Sequence, residues 1–112
     1  MYVKSLGVAA LAEFELLVLL AVLQCGEHAY SVAVHGDLER RSGRAASMGA
    51  VYITLDRLES KGFLTSRLGE PTRERGGRAK RYYLPTRAGL AALEEECRVI
   101  RRMWNGLGLW AD

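Results

Sequence analysis

Ser47-Met48-Gly49-Ala50-Val51-Tyr52-Ile53-Thr54-Leu55-Asp56-Arg57-Leu58-Glu59-Ser60-Lys61-Gly62-Phe63-Leu64 is the stretch on which the fold turns. Ser47 is a suitable N-cap, because its hydroxyl oxygen can accept from a free first-turn amide. Val51, Leu55 and Leu58 then share one face at helical spacing, while Gly49, Ile53, Asp56, Arg57 and Ser60 lie roughly opposite. Gly62 stops the helix, and an apolar segment opens at once with Phe63. A short two-faced helix that runs through glycine into a strand has the pattern of the second helix of a helix-turn-helix with a wing behind it.

The flanking sequence completes that pattern. Upstream, Leu11, Phe14, Leu17, Val18, Ala21 and Val22 recur at helical spacing over residues 11–24, with Gly26 as C-cap. A second helix is expected over residues 31–41, carrying Val32, Val34 and Leu38 with a polar face of Asp37, Glu39, Arg40 and Arg41, and ended by Ser42-Gly43. Downstream, residues 63–68 and 81–84 read as strands, joined by a long tip that holds Gly69-Glu70-Pro71 and Gly76-Gly77. Thr86 then caps a last helix reaching residue 105, before Gly106 and Gly108. Along it Leu90, Leu93, Cys97, Ile100 and Trp104 are spaced three, four, three, four, the spacing of a coiled-coil seam. The expected fold is mainly α: a winged helix-turn-helix with a two-stranded β wing over residues 1–85, and a long C-terminal dimerisation helix and tail over residues 86–112, forming one compact unit.

At 112 residues, 49% hydrophobic and 26% charged, the chain has room for one domain and one function. Its net charge of +3 is modest, but the charge is concentrated. Residues 61–87 hold eight basic side chains (Lys61, Arg67, Arg73, Arg75, Arg78, Lys80, Arg81 and Arg87) against Glu70 and Glu74, a local +6 that leaves −3 elsewhere. Lys4 ahead of an apolar run ending at Cys25 has the outline of an export signal. Glu13 and Glu15 interrupt that run, and the uncharged part from Leu16 to Leu23 is too short to span a bilayer. The expectation is a cytoplasmic protein with no membrane partner. Cys25 and Cys97, far apart, make no disulfide framework.

Three blocks together resemble the PadR family of bacterial transcriptional regulators: Gly49-Ala50-Val51-Tyr52, then Leu55-Asp56-Arg57-Leu58-Glu59-Ser60-Lys61-Gly62-Phe63-Leu64, then Arg81-Tyr82-Tyr83-Leu84-Pro85-Thr86-Arg87-Ala88-Gly89. The resemblance spans residues 11–104 and is closest to the short subgroup with one helix after the wing, whose members pair through that helix. Two positions depart from the family pattern: Ile53 stands where proline is common after the tyrosine, and Ala29-Tyr30-Ser31 stands where Gly-Tyr-Glu is frequent.

What the resemblance implies is a repressor that binds a palindromic site on double-stranded DNA as a homodimer. The start of the recognition helix would then enter the major groove, placing Ser47, Met48, Gly49 and Tyr52 at DNA. The basic tip, Arg73, Arg75, Arg78, Lys80 and Arg81, suits phosphate or minor-groove contact, since guanidinium forks match phosphate oxygens; otherwise it is a solvated loop. Leu90, Leu93, Cys97, Ile100 and Trp104 either pack on their own domain or, as preferred here, meet a second copy with help from Leu11, Phe14 and Leu17. Trp104 and Trp110 admit a small-molecule effector stacked at that seam, or else an interface anchor and a tail residue. Cys25, His28 and His35 are too few and too scattered for a metal site, and no cofactor is expected. No phosphate-binding glycine loop, nucleophile elbow or carboxylate pair suggests catalysis, so no enzyme is expected. The other reading is a winged-helix protein-interaction module whose basic wing binds an acidic partner.

Overall fold

A computed structural model describes residues 11–70 and 79–108. The order is α1 (Glu13–Cys25), a 3-10 turn (Gly26–His28), α2 (Ser31–Ser42), α3 (Met48–Ser60), β1 (Leu64–Leu68), β2 (Arg81–Pro85) and α4 (Arg87–Trp104). This is the expected winged helix-turn-helix with a two-stranded wing and a long last helix, each element boundary falling within two residues of its sequence position.

α1 is built from strong helix formers and starts on its own acid: Glu15 Oε1 accepts the Ala12 amide at 2.9 Å, one half of a capping box. Val18, Leu19 and Val22 from α1 meet Val34 and Leu38 from α2 and Val51, Leu55 and Leu58 from α3, all almost fully buried. This three-helix core buries the inner face of α3. Among the described residues no helix is long and apolar enough to cross a membrane.

The structure reassigns two positions of α2. Val32, expected with the apolar residues, is 58% exposed, and Asp37, expected on the polar face, is buried. At about 100° per residue Val32 lies about 200° round the helix from Val34, whereas Asp37 sits one turn beyond Val34 and beside Leu38. Asp37 is tolerated inside because its Oδ1 accepts from Arg41 Nε at 2.8 Å and Arg40 Nη2 at 3.2 Å. Gly43 then ends α2 in the left-handed conformation (φ 72°) that reverses the chain toward α3.

The wing pairs antiparallel, Leu64 opposite Pro85 through Leu68 opposite Arg81. Its body-facing side carries Leu64 and Tyr83, both buried. The free edge of β2 is closed by the 3-10 turn region, since the Tyr83 amide donates to the Ala29 carbonyl at 2.8 Å. α4 is stitched to the wing base. Thr86 Oγ1 donates to the Gly62 carbonyl (2.6 Å) and accepts the Gly89 amide (3.0 Å), and the Thr86 amide donates to the Phe63 carbonyl (3.0 Å). The backbones approach so closely that a Cβ on Gly89 would lie 2.2 Å from the Phe63 carbonyl oxygen.

Candidate nucleic-acid interface

The outward face of α3 is bare. Gly49, Ala50, Tyr52, Ile53, Asp56, Arg57 and Ser60 are all exposed, Tyr52 and Ile53 each to 57%. Ser47 caps the helix as expected, its Oγ accepting the Ala50 amide at 3.0 Å. The amides of Met48 and Gly49 come too early in the helix to have an intrahelical acceptor, so they open at its positive end.

Both ends of α3 are held from α1, α2 and the wing. At the start, α2 grips the residue before the cap: Glu39 Oε2 accepts the Ala46 amide (2.8 Å) and His35 Nε2 lies 2.7 Å from the Ala46 carbonyl, which requires the proton on Nε2. Neither contact was legible in sequence, since they join residues 7 and 11 positions apart. At the end, Lys61 Nζ donates to both carboxylate oxygens of Glu15 (2.8 and 3.0 Å). Burial of Glu15 works to raise its pKa, but the hydrogen bonds from Lys61 and the Ala12 amide, with the charges of Lys61 and Arg57, outweigh it and hold the carboxyl below its ordinary value.

The wing divides its basic residues between two faces. Arg81 Nη1 donates to Ser66 Oγ (3.0 Å), which donates to Glu59 Oε2 on α3 (2.8 Å), so Arg81 is tied to α3 through two hydrogen bonds. Tyr83, on the same face, has its phenol pushed up by burial and by the nearby Tyr52 and Glu59. Lys80 instead sits over the Tyr30 ring at 4.5 Å, Tyr30 meets Tyr82 edge-on at 5.7 Å, and Arg67 lies 5.3 Å from the Tyr82 ring. This alternation of cations and rings holds two long basic side chains at the tip end of the paired strands. Arg73, Arg75 and Arg78 lie outside the described residues.

The model of the PadR-like transcriptional regulator family matches residues 19–95. This chain belongs to the PadR-like family of transcriptional regulators. It is 41% identical over 81 residues to the transcriptional regulator Rv3488 of Mycobacterium tuberculosis, covering 68% of this chain and 71% of that one. Among solved structures it is similar to a PadR family regulator from Eggerthella lenta, with TM-score 0.64 and 26% identity over 94% of this chain and 91% of that chain. A PadR family regulator from Clostridium difficile shares the fold with TM-score 0.61 and 22% identity, over 84% of this chain and 96% of that chain. The family is one of regulators and not a class of enzyme.

The PadR-family match ends at residue 95, inside α4, and beyond it the helix changes character. Leu93, one of the expected seam residues, is buried in the chain's own core, as is Leu11 ahead of α1. Leu90, Cys97 and Ile100 carry exposed surface, joined by Val99 and Met103, the latter 74% exposed. Phe14, Leu17 and Trp104 are half-buried. A cleft of about 210 Å³ lies between α1 and α2, with Leu17, Leu20, Ala21 and Leu38 among its walls; Trp104 does not line it. Trp110 lies outside the described residues. Burial and the nearby Asp37 carboxylate raise the Cys25 thiol, and among the described residues no group of three His, Cys, Asp or Glu is placed to hold a metal ion.

Proposed function

We propose that this PadR-family regulator is a cytoplasmic repressor that binds a palindromic operator as a homodimer. The observation that carries the reading is α3 itself, rigidly held at both ends and exposed along its outer face, with Arg81 tied beside it. In this reading each protomer sets Ser47, Met48, Gly49 and Tyr52 into a major groove, with the amides of Met48 and Gly49 toward a phosphate and the Tyr52 hydroxyl within reach of another. Arg73, Arg75, Arg78, Lys80 and Arg81 grip the neighbouring backbone through the wing.

A second copy covers the exposed stripe of α4. A helix with Cys97, Ile100 and Met103 open to solvent is poorly suited to stay alone, and a two-fold protein matches a two-fold site. Because α4 is stitched to the base of the wing, the angle between paired α4 helices sets the distance between the two recognition helices. A small-molecule effector near Trp104 would act by binding one such spacing more tightly than another. The test is fluorescence anisotropy of a labelled duplex carrying the upstream region of the protein's own gene. Saturation at two chains per duplex, surviving an excess of random-sequence competitor, is the expected result. One chain per duplex, or displacement by competitor, would exclude a sequence-specific homodimer.

A further inference from the structure

We infer that α3 reads its operator through thymine methyl groups, and that Ile53 is the residue that specifies them. The inference rests on the DNA-binding reading and deepens it. Across residues 48–56 the exposed side chains of α3 are apolar apart from the Tyr52 hydroxyl and Asp56. None of the four residue types that pair bidentately with guanine or adenine, Arg, Lys, Asn and Gln, occurs there. Ile53 stands at the centre of the outward face, one turn after Gly49 and one turn before Asp56, and is 57% exposed. Gly49 and Ala50 beside it present almost no side chain, which lets the helix axis come close to the floor of a groove.

An exposed branched aliphatic on a helix calls for an apolar partner, and the surroundings say which kind. Arg44, paired with Glu13 at 3.0 Å, precedes the helix, Arg57 follows Ile53 by one turn, and Arg81 is tied to the far side through Ser66 and Glu59, so three cations stand around the apolar strip, with Asp56 and Glu59 among them. An apolar strip with arginines at its margins suits an anionic surface with apolar points in it. The major groove of DNA is such a surface, and the thymine 5-methyl is the apolar group that its base edges present. A methyl buried against Ile53 is worth roughly three- to fivefold in affinity. Discrimination through that contact is therefore small at each base.

The experiment starts from duplexes that wild-type protein enriches out of a random pool. Each thymine is then replaced in turn by deoxyuridine, which removes only the methyl, and binding is measured for wild type and Ile53→Ala. Ile53 is exposed, so the variant should melt with the wild type, which a thermal scan checks. Expected is a drop of roughly three- to fivefold for wild type at one thymine in each half-site, a similar drop for Ile53→Ala on the unmodified duplex, and no further drop when both changes are combined. The inference is overturned if enriched sites lack a recurrent thymine, if deoxyuridine costs wild type nothing, or if Ile53→Ala stays as sensitive as wild type. If no duplex is enriched at all, the DNA-binding reading itself fails.

Discussion

α3 and α4 are both two-faced helices of this small protein, yet they are anchored in opposite ways. α3 is fastened at its two ends, by Glu39 and His35 before its cap and by Glu15 beyond its last turn, and it leaves its whole outer face bare. α4 is stitched at its start, through Thr86 and Gly89 against residues 62–63, and packs Leu93 into the core, while most of its exposed apolar surface lies toward its far end. A helix meant to present side chains at a set angle needs fixed ends. In the proposed dimer, a helix completed by another copy needs one fixed end and an open flank.

The comparison can be broken at four points. Ile100→Glu places a charge on the open flank of α4; with one change in each of two protomers, the proposed dimer should weaken by about 3 kcal/mol or more. Sedimentation should show it as a shift to monomer with the helix content unchanged. Gly89→Ala attacks the fixed end instead. The new methyl group meets the Phe63 carbonyl, so the folded chain should lose about 2 kcal/mol, read as a lower denaturant midpoint with an unchanged slope.

Glu15→Gln loosens the end of α3. Lys61 keeps an uncharged partner and is partly solvated, so a loss of about 1–2 kcal/mol at neutral pH is expected. The folded-state pKa of Glu15 is depressed, so its contribution is present above the ordinary carboxylate value and is lost as pH falls through the lower, folded one. The wild-type stability curve should therefore fall more steeply in acid than that of the variant. The smallest effect has the opposite sign. A Cβ on Gly49 meets nothing closer than Ser47 Oγ at 4.0 Å, so Gly49→Ala should stabilise α3 by about half a kcal/mol while weakening operator binding, because the added methyl points at the groove.

The elements themselves were legible because their ends are marked chemically: Ser47 and Thr86 cap α3 and α4, and Gly43 and Gly62 close α2 and α3. What stayed hidden depends on tertiary position. Leu90, Leu93 and Ile100 obey one spacing, yet only Leu93 is covered by its own domain, since periodicity does not say where a helix leaves the body. Glu15 counted only as an interruption of an apolar run, because its partner Lys61 lies 46 residues away. Lys80 and Arg81 read as one basic patch, but strand alternation turns one toward Tyr30 and the other toward Ser66. Asp37 shows that a helix face should be judged by angle and not by residue type.

The central claim is that α3 and the wing act together on DNA, and salt dependence tests it most directly. Affinity for an enriched duplex would be measured at several salt concentrations for wild type and for a variant with Arg73, Arg75, Arg78, Lys80 and Arg81 all changed to alanine. The expected result is two straight lines in log affinity against log salt, the variant's shallower by about 0.9 for each phosphate that the wing no longer neutralises. Parallel lines of equal affinity would contradict the account, since the wing would then leave the DNA backbone untouched.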